Sequence, residues 1–193
     1  MLRVGIIGCG GMGRDHIRRL TEKIQGAEVV AVSDVFEESA KKAAEICGAK
    51  VYTDSRELIN AEDVDAVFIV SPGFAHVDSL LQAIEAGKRI FCEKPLCTTA
   101  EDCLKVVKAE EAAGKHLIQL GFMRRYDKGY QQIKEALATG EYGEPLILHC
   151  THRNPEVGTN YNTPMAVHDT AIHEIDVLHW LVDDEYESAQ VVM

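Results

Sequence analysis

Short runs of consecutive apolar residues alternate along the chain with longer stretches in which apolar positions recur every three or four residues. The runs predict strands at Val4–Ile7, Val29–Val32, Val51–Tyr52, Ala66–Val70, Ile90–Cys92 and Leu117–Leu120. Between them the periodic stretches predict helices. Ile17, Leu20 and Ile24 form one stripe; Val77, Leu80, Leu81 and Ile84 form another, which Gly87 ends with a left-handed cap. Thr98, three residues before Glu101, has the spacing of a capping box for a helix that ends near Gly114. Strands joined by helical crossovers make a doubly wound α/β sheet, in which ligands bind beyond the carboxyl ends of the strands.

This first domain is expected to span residues 1–121. Residues 122–193 read as the beginning of an α+β domain: a helix over Asp127–Ala138, a strand over Pro145–Thr151, a loop rich in Asn, Gly, Thr and Pro, a helix over Val167–Val182 and a strand just begun at Ser188–Met193. The chain shows no internal repeat and no low-complexity segment.

Its 193 residues, 46% of them hydrophobic, are enough for one good core and the start of a second. A formal charge of -11 repels phosphate backbones and anionic membranes, which argues against nucleic acid or a membrane as partner. Met1–Gly13 turns glycine-rich before any signal-peptide cleavage site, and no apolar run approaches bilayer length. Six cysteines, Cys9, Cys47, Cys92, Cys97, Cys103 and Cys150, include no CxxC pair and read as reduced thiols of a cytoplasmic protein.

Gly8, Gly10 and Gly13, with Gly11 and Met12 between them, form GxGxxG at the junction of the first strand and first helix, the context that turns a common glycine pattern into a Rossmann dinucleotide site. The glycines permit a tight turn, close approach to the pyrophosphate and helix-on-strand packing, while amides at the helix start hold the phosphates. Asp34 ends the second strand about twenty positions further on, where a carboxylate accepts both ribose hydroxyls and repels the extra phosphate of NADP. NAD is therefore the expected cofactor.

Two further elements follow strands: Ser71-Pro72-Gly73-Phe74-Ala75-His76 and Glu93-Lys94-Pro95. With the glycine fingerprint they resemble the glucose-fructose oxidoreductase and inositol dehydrogenase family. Gly121-Phe122-Met123-Arg124-Arg125-Tyr126-Asp127, His152-Arg153-Asn154-Pro155 and His168-Asp169-Thr170-Ala171-Ile172-His173-Glu174-Ile175-Asp176 are similar to its inositol-type members. The resemblance implies a catalytic group of Lys94, Asp169 and His173. It implies substrate contacts at Met123, Arg124, His152 and Asn154, and a nicotinamide side lined by Ser71, Pro72 and His76, with Glu93 alongside. It implies a cyclic polyol or sugar as substrate, myo-inositol foremost. Members of the family run well over a hundred residues further, completing a sheet that floors the substrate site and usually joins subunits, so full-length relatives are expected to be homo-oligomers.

The chemistry suits these residues. Oxidation of a secondary alcohol needs a base for the hydroxyl proton, and an imidazole such as His173 titrates near neutrality. Asp169, four residues earlier on a helix, could orient that ring; Lys94 could stabilise charge on the reacting oxygen. The plainer alternatives are a surface hydrogen bond for Asp169 with His173 and a solvated loop for Lys94. A non-catalytic dinucleotide-binding sensor remains a competing function. A zinc site is not expected: His149, His152, His168 and His173 suggest one, but HExxH fails because Val177 stands where the second histidine belongs.

Overall fold

The computed structural model describes residues 1–159 and 161–192. It divides into two compact units, Met1–Gly121 and Phe122–Met193.

In the first unit six strands pair in parallel, in the order β3-β2-β1-β4-β5-β6. They are β1 (Leu2–Ile7), β2 (Ala27–Ser33), β3 (Lys50–Tyr52), β4 (Ala66–Ile69), β5 (Arg89–Cys92) and β6 (Ile118–Leu120). Helices α1 (Gly11–Glu22), α2 (Glu37–Cys47), α3 (Ser55–Ile59), α4 (His76–Glu85) and α5 (Ala100–Ala113) make the crossovers. The order reverses direction beside β1, which pairs with β2 on one edge and β4 on the other, so Val4 is opposite both Val29 and Ala66. That reversal opens a crevice at the carboxyl ends of β1 and β4, the place where doubly wound sheets bind ligands.

Both sheet faces are covered, as a parallel sheet requires. Val4, Ile6, Ile17 and Val32 belong to one buried cluster; Val67, Ile69, Leu58 and Leu80 belong to another. Left-handed glycines end α2 at Gly48 and α5 at Gly114, and Gly87 follows α4 in the same conformation. The cap of α5 is one residue later than the spacing suggested: Thr99 accepts from the Asp102 amide at 3.1 Å and donates to its carboxylate at 2.8 Å. Thr98 and Thr99 each precede an acid by three, and the chain uses the second.

In the second unit α6 (Lys128–Ala138) starts at Asp127, whose carboxylate accepts from the Gly129 and Tyr130 amides. Pro145–Thr151, expected as a strand, forms none; Leu146 and Ile147 are 91% and 89% exposed. A strand holds its shape by pairing, and among the described residues no second strand flanks this one. The helix expected to start at Val167 begins earlier, with α7 (Thr163–Met165) capped by the Asn162 side chain, and widens into a π-helical stretch over Ala166–Ala171 before α8 (Ile172–Val182). Val177 and Leu181 of α8 are buried, and Lys134 of α6 donates to the Leu181 carbonyl at 3.3 Å. Ser188–Val192 is irregular rather than a strand, and Met193 lies outside the described residues.

Candidate active site

The turn between β1 and α1 is shaped by two glycines. Gly8 has φ of +99°, and a Cβ there would come within 2.5 Å of the Ser71 amide nitrogen. A Cβ on Gly13 would meet the Gly8 carbonyl oxygen at 1.9 Å, so α1 can seat on the turn only without a side chain. Gly10 and Gly11 are the opposite case: they are exposed, and a Cβ on either would meet nothing within 4 Å. Gly10 caps α1 without a side-chain hydrogen bond, leaving the first amides of the helix to an incoming group. Arg14 ties the turn together by donating to the Cys9 carbonyl at 2.8 Å.

Asp34 stands just beyond β2 with both carboxylate oxygens anchored. One accepts from the Cys9 amide at 2.8 Å and the other from the Phe36 amide at 2.9 Å. Each oxygen keeps a second lone pair for a ribose hydroxyl. Burial, with the Asp34 charge adding to it, pushes the Cys9 thiol up to about 12, so this sulfur stays a thiol beneath the turn. Val35 and Phe36, exposed beside the acid, offer an apolar surface that the strand pattern did not single out. The Ser71 hydroxyl is buried beside the turn without a partner among the described residues. An open glycine cradle, a fixed ribose-sized acid and a buried hydroxyl awaiting a partner fit a dinucleotide.

His76 is placed differently from the expectation that it lines the nicotinamide side. Its ring is only 1% exposed, and its nitrogens face main-chain oxygens: Nε2 lies 2.7 Å from Ser71 O, and Nδ1 lies 2.9 Å from Pro95 O. Pro72 and Phe74 are exposed on the same turn. The Glu93 carboxylate is likewise engaged, receiving His16 Nε2 at 2.8 Å and the Lys94 amide at 3.3 Å. His16 had no motif to announce it, because its partner lies 77 residues away. Lys94 itself is half-buried at the carboxyl end of β5.

In the second unit three of the sequence-selected residues, Arg124, His152 and Asn154, form one polar chain with Glu174, Thr170 and Tyr161. Arg124 pairs with Glu174, and its guanidinium lies 3.3 Å from His152 Nδ1. That same nitrogen lies 3.1 Å from Glu174, while Nε2 lies 3.2 Å from Asn154 Oδ1. Asn154 donates to Thr170 at 3.4 Å, and Tyr161 is 2.7 Å from the same hydroxyl. Burial alone would raise the Glu174 carboxyl, but hydrogen bonds from His152 and Arg124 outweigh it and hold the group below the usual carboxylate range. His173, in the first turn of α8, is buried with its ring centroid 6.4 Å from that of His152. Asp169 sits in the π-helical stretch, and wide turns of this kind often mark functional sites. Met123 is exposed. Arg125 forms a bidentate pair with the buried Asp176 at 2.9 and 2.5 Å, which holds the guanidinium above its usual range. Glu174, Thr170 and Tyr161 were missed as partners because a carboxylate or hydroxyl on a helix or loop carries no periodic signal.

Among the described residues no three His, Cys, Asp or Glu side chains converge as metal ligands, and no helix is long and apolar enough to cross a membrane.

Sheet order, glycine cradle and an anchored carboxylate just past β2 define a dinucleotide-binding Rossmann fold. Residues 2–122 match the family described as "Oxidoreductase family, NAD-binding Rossmann fold", and residues 130–193 match the "GFO/IDH/MocA C-terminal domain". The chain belongs to the GFO/IDH/MocA oxidoreductase family. It is 56% identical over 192 residues to the inositol 2-dehydrogenase/D-chiro-inositol 3-dehydrogenase of Halalkalibacterium halodurans, covering 98% of this chain and 55% of that one. It is 53% identical over 193 residues to an inositol 2-dehydrogenase of Pseudomonas syringae, covering 99% and 57%. The myo-inositol dehydrogenase of Lactobacillus casei, solved in complex with NAD(H) and myo-inositol, superposes with a TM-score of 0.93 at 50% identity over 96% of this chain and 56% of that one. The chain thus spans about half the length of the relatives it matches.

Proposed function

We propose that this chain provides the cofactor domain and part of the substrate domain of an NAD-dependent dehydrogenase that oxidises a secondary alcohol of a cyclic polyol, myo-inositol foremost, to the ketone. The observation that carries the reading is the Asp34 carboxylate anchored at the lip of an open glycine cradle. Likeness to a structure holding NAD(H) and myo-inositol supports the substrate class.

In this reading α1 binds the pyrophosphate through its first amides, and Asp34 grips the adenosine ribose while disfavouring a 2′-phosphate. Bound NAD supplies the acceptor for the hydride leaving the alcohol carbon. His173 takes the hydroxyl proton, and Asp169 orients the imidazole and stabilises its protonated form. Lys94 hydrogen-bonds the reacting oxygen and stabilises the negative charge that builds on it. His152, held by Glu174, and Asn154 offer hydrogen bonds to the remaining hydroxyls of the ring. The protein is read as cytoplasmic, and its longer form as an oligomer.

The test is calorimetric titration with NAD, followed by NADH absorbance with myo-inositol and several aldoses, beside a Lys94→Ala control. Saturable NAD uptake and myo-inositol-dependent NADH formation in a form extended to the relatives' length, abolished by the substitution, are the expected results. Absence of NAD uptake by folded protein would overturn the reading.

A further inference from the structure

Lys94 lies in a loop whose main chain is fastened from two directions. On one side is α1, the helix whose start forms the cradle. Its His16 ring packs edge-on against Phe68 of β4 and Phe91 of β5, with centroids 5.8 and 5.3 Å apart. Wedged there, the imidazole brings Nε2 to 2.8 Å from one Glu93 oxygen, and the other Glu93 oxygen accepts the Lys94 amide at 3.3 Å. The path runs from cradle helix to carboxylate to the backbone of Lys94.

On the other side is the buried His76 at the start of α4. Nδ1 reaches Pro95 O at 2.9 Å and Leu96 O at 3.2 Å, while Nε2 reaches Ser71 O at 2.7 Å. The ring therefore spans the turn after β4 and the segment just past Lys94. The two segments also pack directly, since a Cβ on Gly73 would meet Pro95 Cγ at 3.0 Å. A lone loop lysine would sample many backbone states; here polar groups on both flanks of Lys94 are committed to fixed elements.

We infer that His16, acting through Glu93, and His76, acting through the Pro95 and Leu96 carbonyls, are positioning residues that set Lys94 in register with the cofactor cradle. The inference rests on the reading of Lys94 as the group that acts on the substrate oxygen.

The test labels the lysines of the whole chain as 13C-dimethylamines and assigns Lys94 by its loss in Lys94→Arg. In the wild type the Lys94 methyl resonance should stand apart from those of the exposed lysines. His16→Phe keeps the aromatic wedge but removes the nitrogen, and should move the resonance into the exposed-lysine envelope. His16→Gln, whose amide reaches where Nε2 does, should restore it, a rescue that a purely space-filling role would not show. His76→Asn, whose amide can donate to Pro95 from where Nδ1 stands, should preserve the shift better than His76→Gln, whose amide reaches towards Ser71 from where Nε2 stands. A wild-type resonance already within the envelope, or one unmoved by His16→Phe in protein that still melts cooperatively, would overturn the inference. Parallel titration with NAD separates the two claims: failure of uptake by the wild type removes the proposed function, whereas normal uptake with an indifferent Lys94 signal removes only the positioning role.

Discussion

Asp34 accepts the main-chain N–H of Cys9 at 2.8 Å, so the acid that ends β2 is part of the turn that follows β1. The proposed ribose and phosphate contacts therefore share one rigid construction, and damage to either should be felt by the other.

Replacing Asp34 by alanine should weaken NAD binding about ten- to hundredfold, the loss expected for hydrogen bonds to a charged group. NADP should lose far less, because the same carboxylate repels its 2′-phosphate. Calorimetric titration of both nucleotides measures the ratio; equal losses would contradict the assigned role.

Glycine substitutions in the turn should separate folding from binding. Gly13→Ala places a Cβ 1.9 Å from a backbone oxygen and should destabilise the first unit by about 2 kcal/mol or more. Gly11→Ala meets nothing within 4 Å and should leave Tm nearly unchanged while reducing NAD affinity. Thermal melts read beside NAD titrations make the comparison.

The two ion pairs on charged helix residues should differ sharply in weight. Asp176 has a side chain only 7% exposed and a bidentate Arg125 partner whose own side chain is 39% exposed, so Asp176→Ala should cost about 1.5 kcal/mol through the two lost charge-assisted hydrogen bonds while the guanidinium turns to water. Asp15→Ala breaks an exposed pair with Arg19 and should shift Tm within error. Urea denaturation of the two variants provides the measurement.

Acid should loosen the second unit through Glu174. Its carboxyl is held below the usual range in the folded chain, so its stabilising effect is complete above the unfolded value of about 4.3 and is lost as pH falls through the lower folded value. Melts between neutral pH and pH 3 should show a steeper decline for the wild type than for Glu174→Gln, which starts lower at neutral pH. Parallel curves would contradict this.

Thiol reactivity should be graded by burial. Cys150 is exposed and should react first with a maleimide, whereas Cys9, Cys92 and Cys97 are buried and should resist until unfolding. Burial pushes Cys97 up to about 12, as it does Cys9, which removes the reactive thiolate. Mass spectrometry of the labelled chain resolves the order.

What could be read from residues alone was what local patterns encode. The glycine turn, Asp34 and the buried strands follow from spacing and periodicity, and each occupies the element its pattern required. The spacing puts the cap at Thr98, but Thr99 satisfies the same spacing and is the residue that the chain uses. Pro145–Thr151 has strand composition, but strand formation depends on a neighbour rather than on its own residues. The helix start at Asn162 and Pro164 lies within a stretch that reads as a loop, because its Asn, Gly, Thr and Pro all favour turns. His76 illustrates the deeper difficulty: an imidazole serves equally as a surface contact or as a buried link between carbonyls, and only the packed chain distinguishes them. The pairing of His16 with Glu93 joins residues 77 apart and leaves no trace in any short window.

The π-helical stretch at Ala166–Ala171 behaves as a single surplus residue wound into otherwise ordinary helix. Excising one residue there would let the backbone relax to regular pitch with the flanking turns kept in place, but the residues inside the stretch would be re-aimed, because a π turn advances each of them by less than the roughly 100° of an α-helix. Asp169 and His173 would then lose their mutual bearing, although neither had been altered. The irregular coil thus fixes an angular offset that no side-chain substitution in this segment could reproduce.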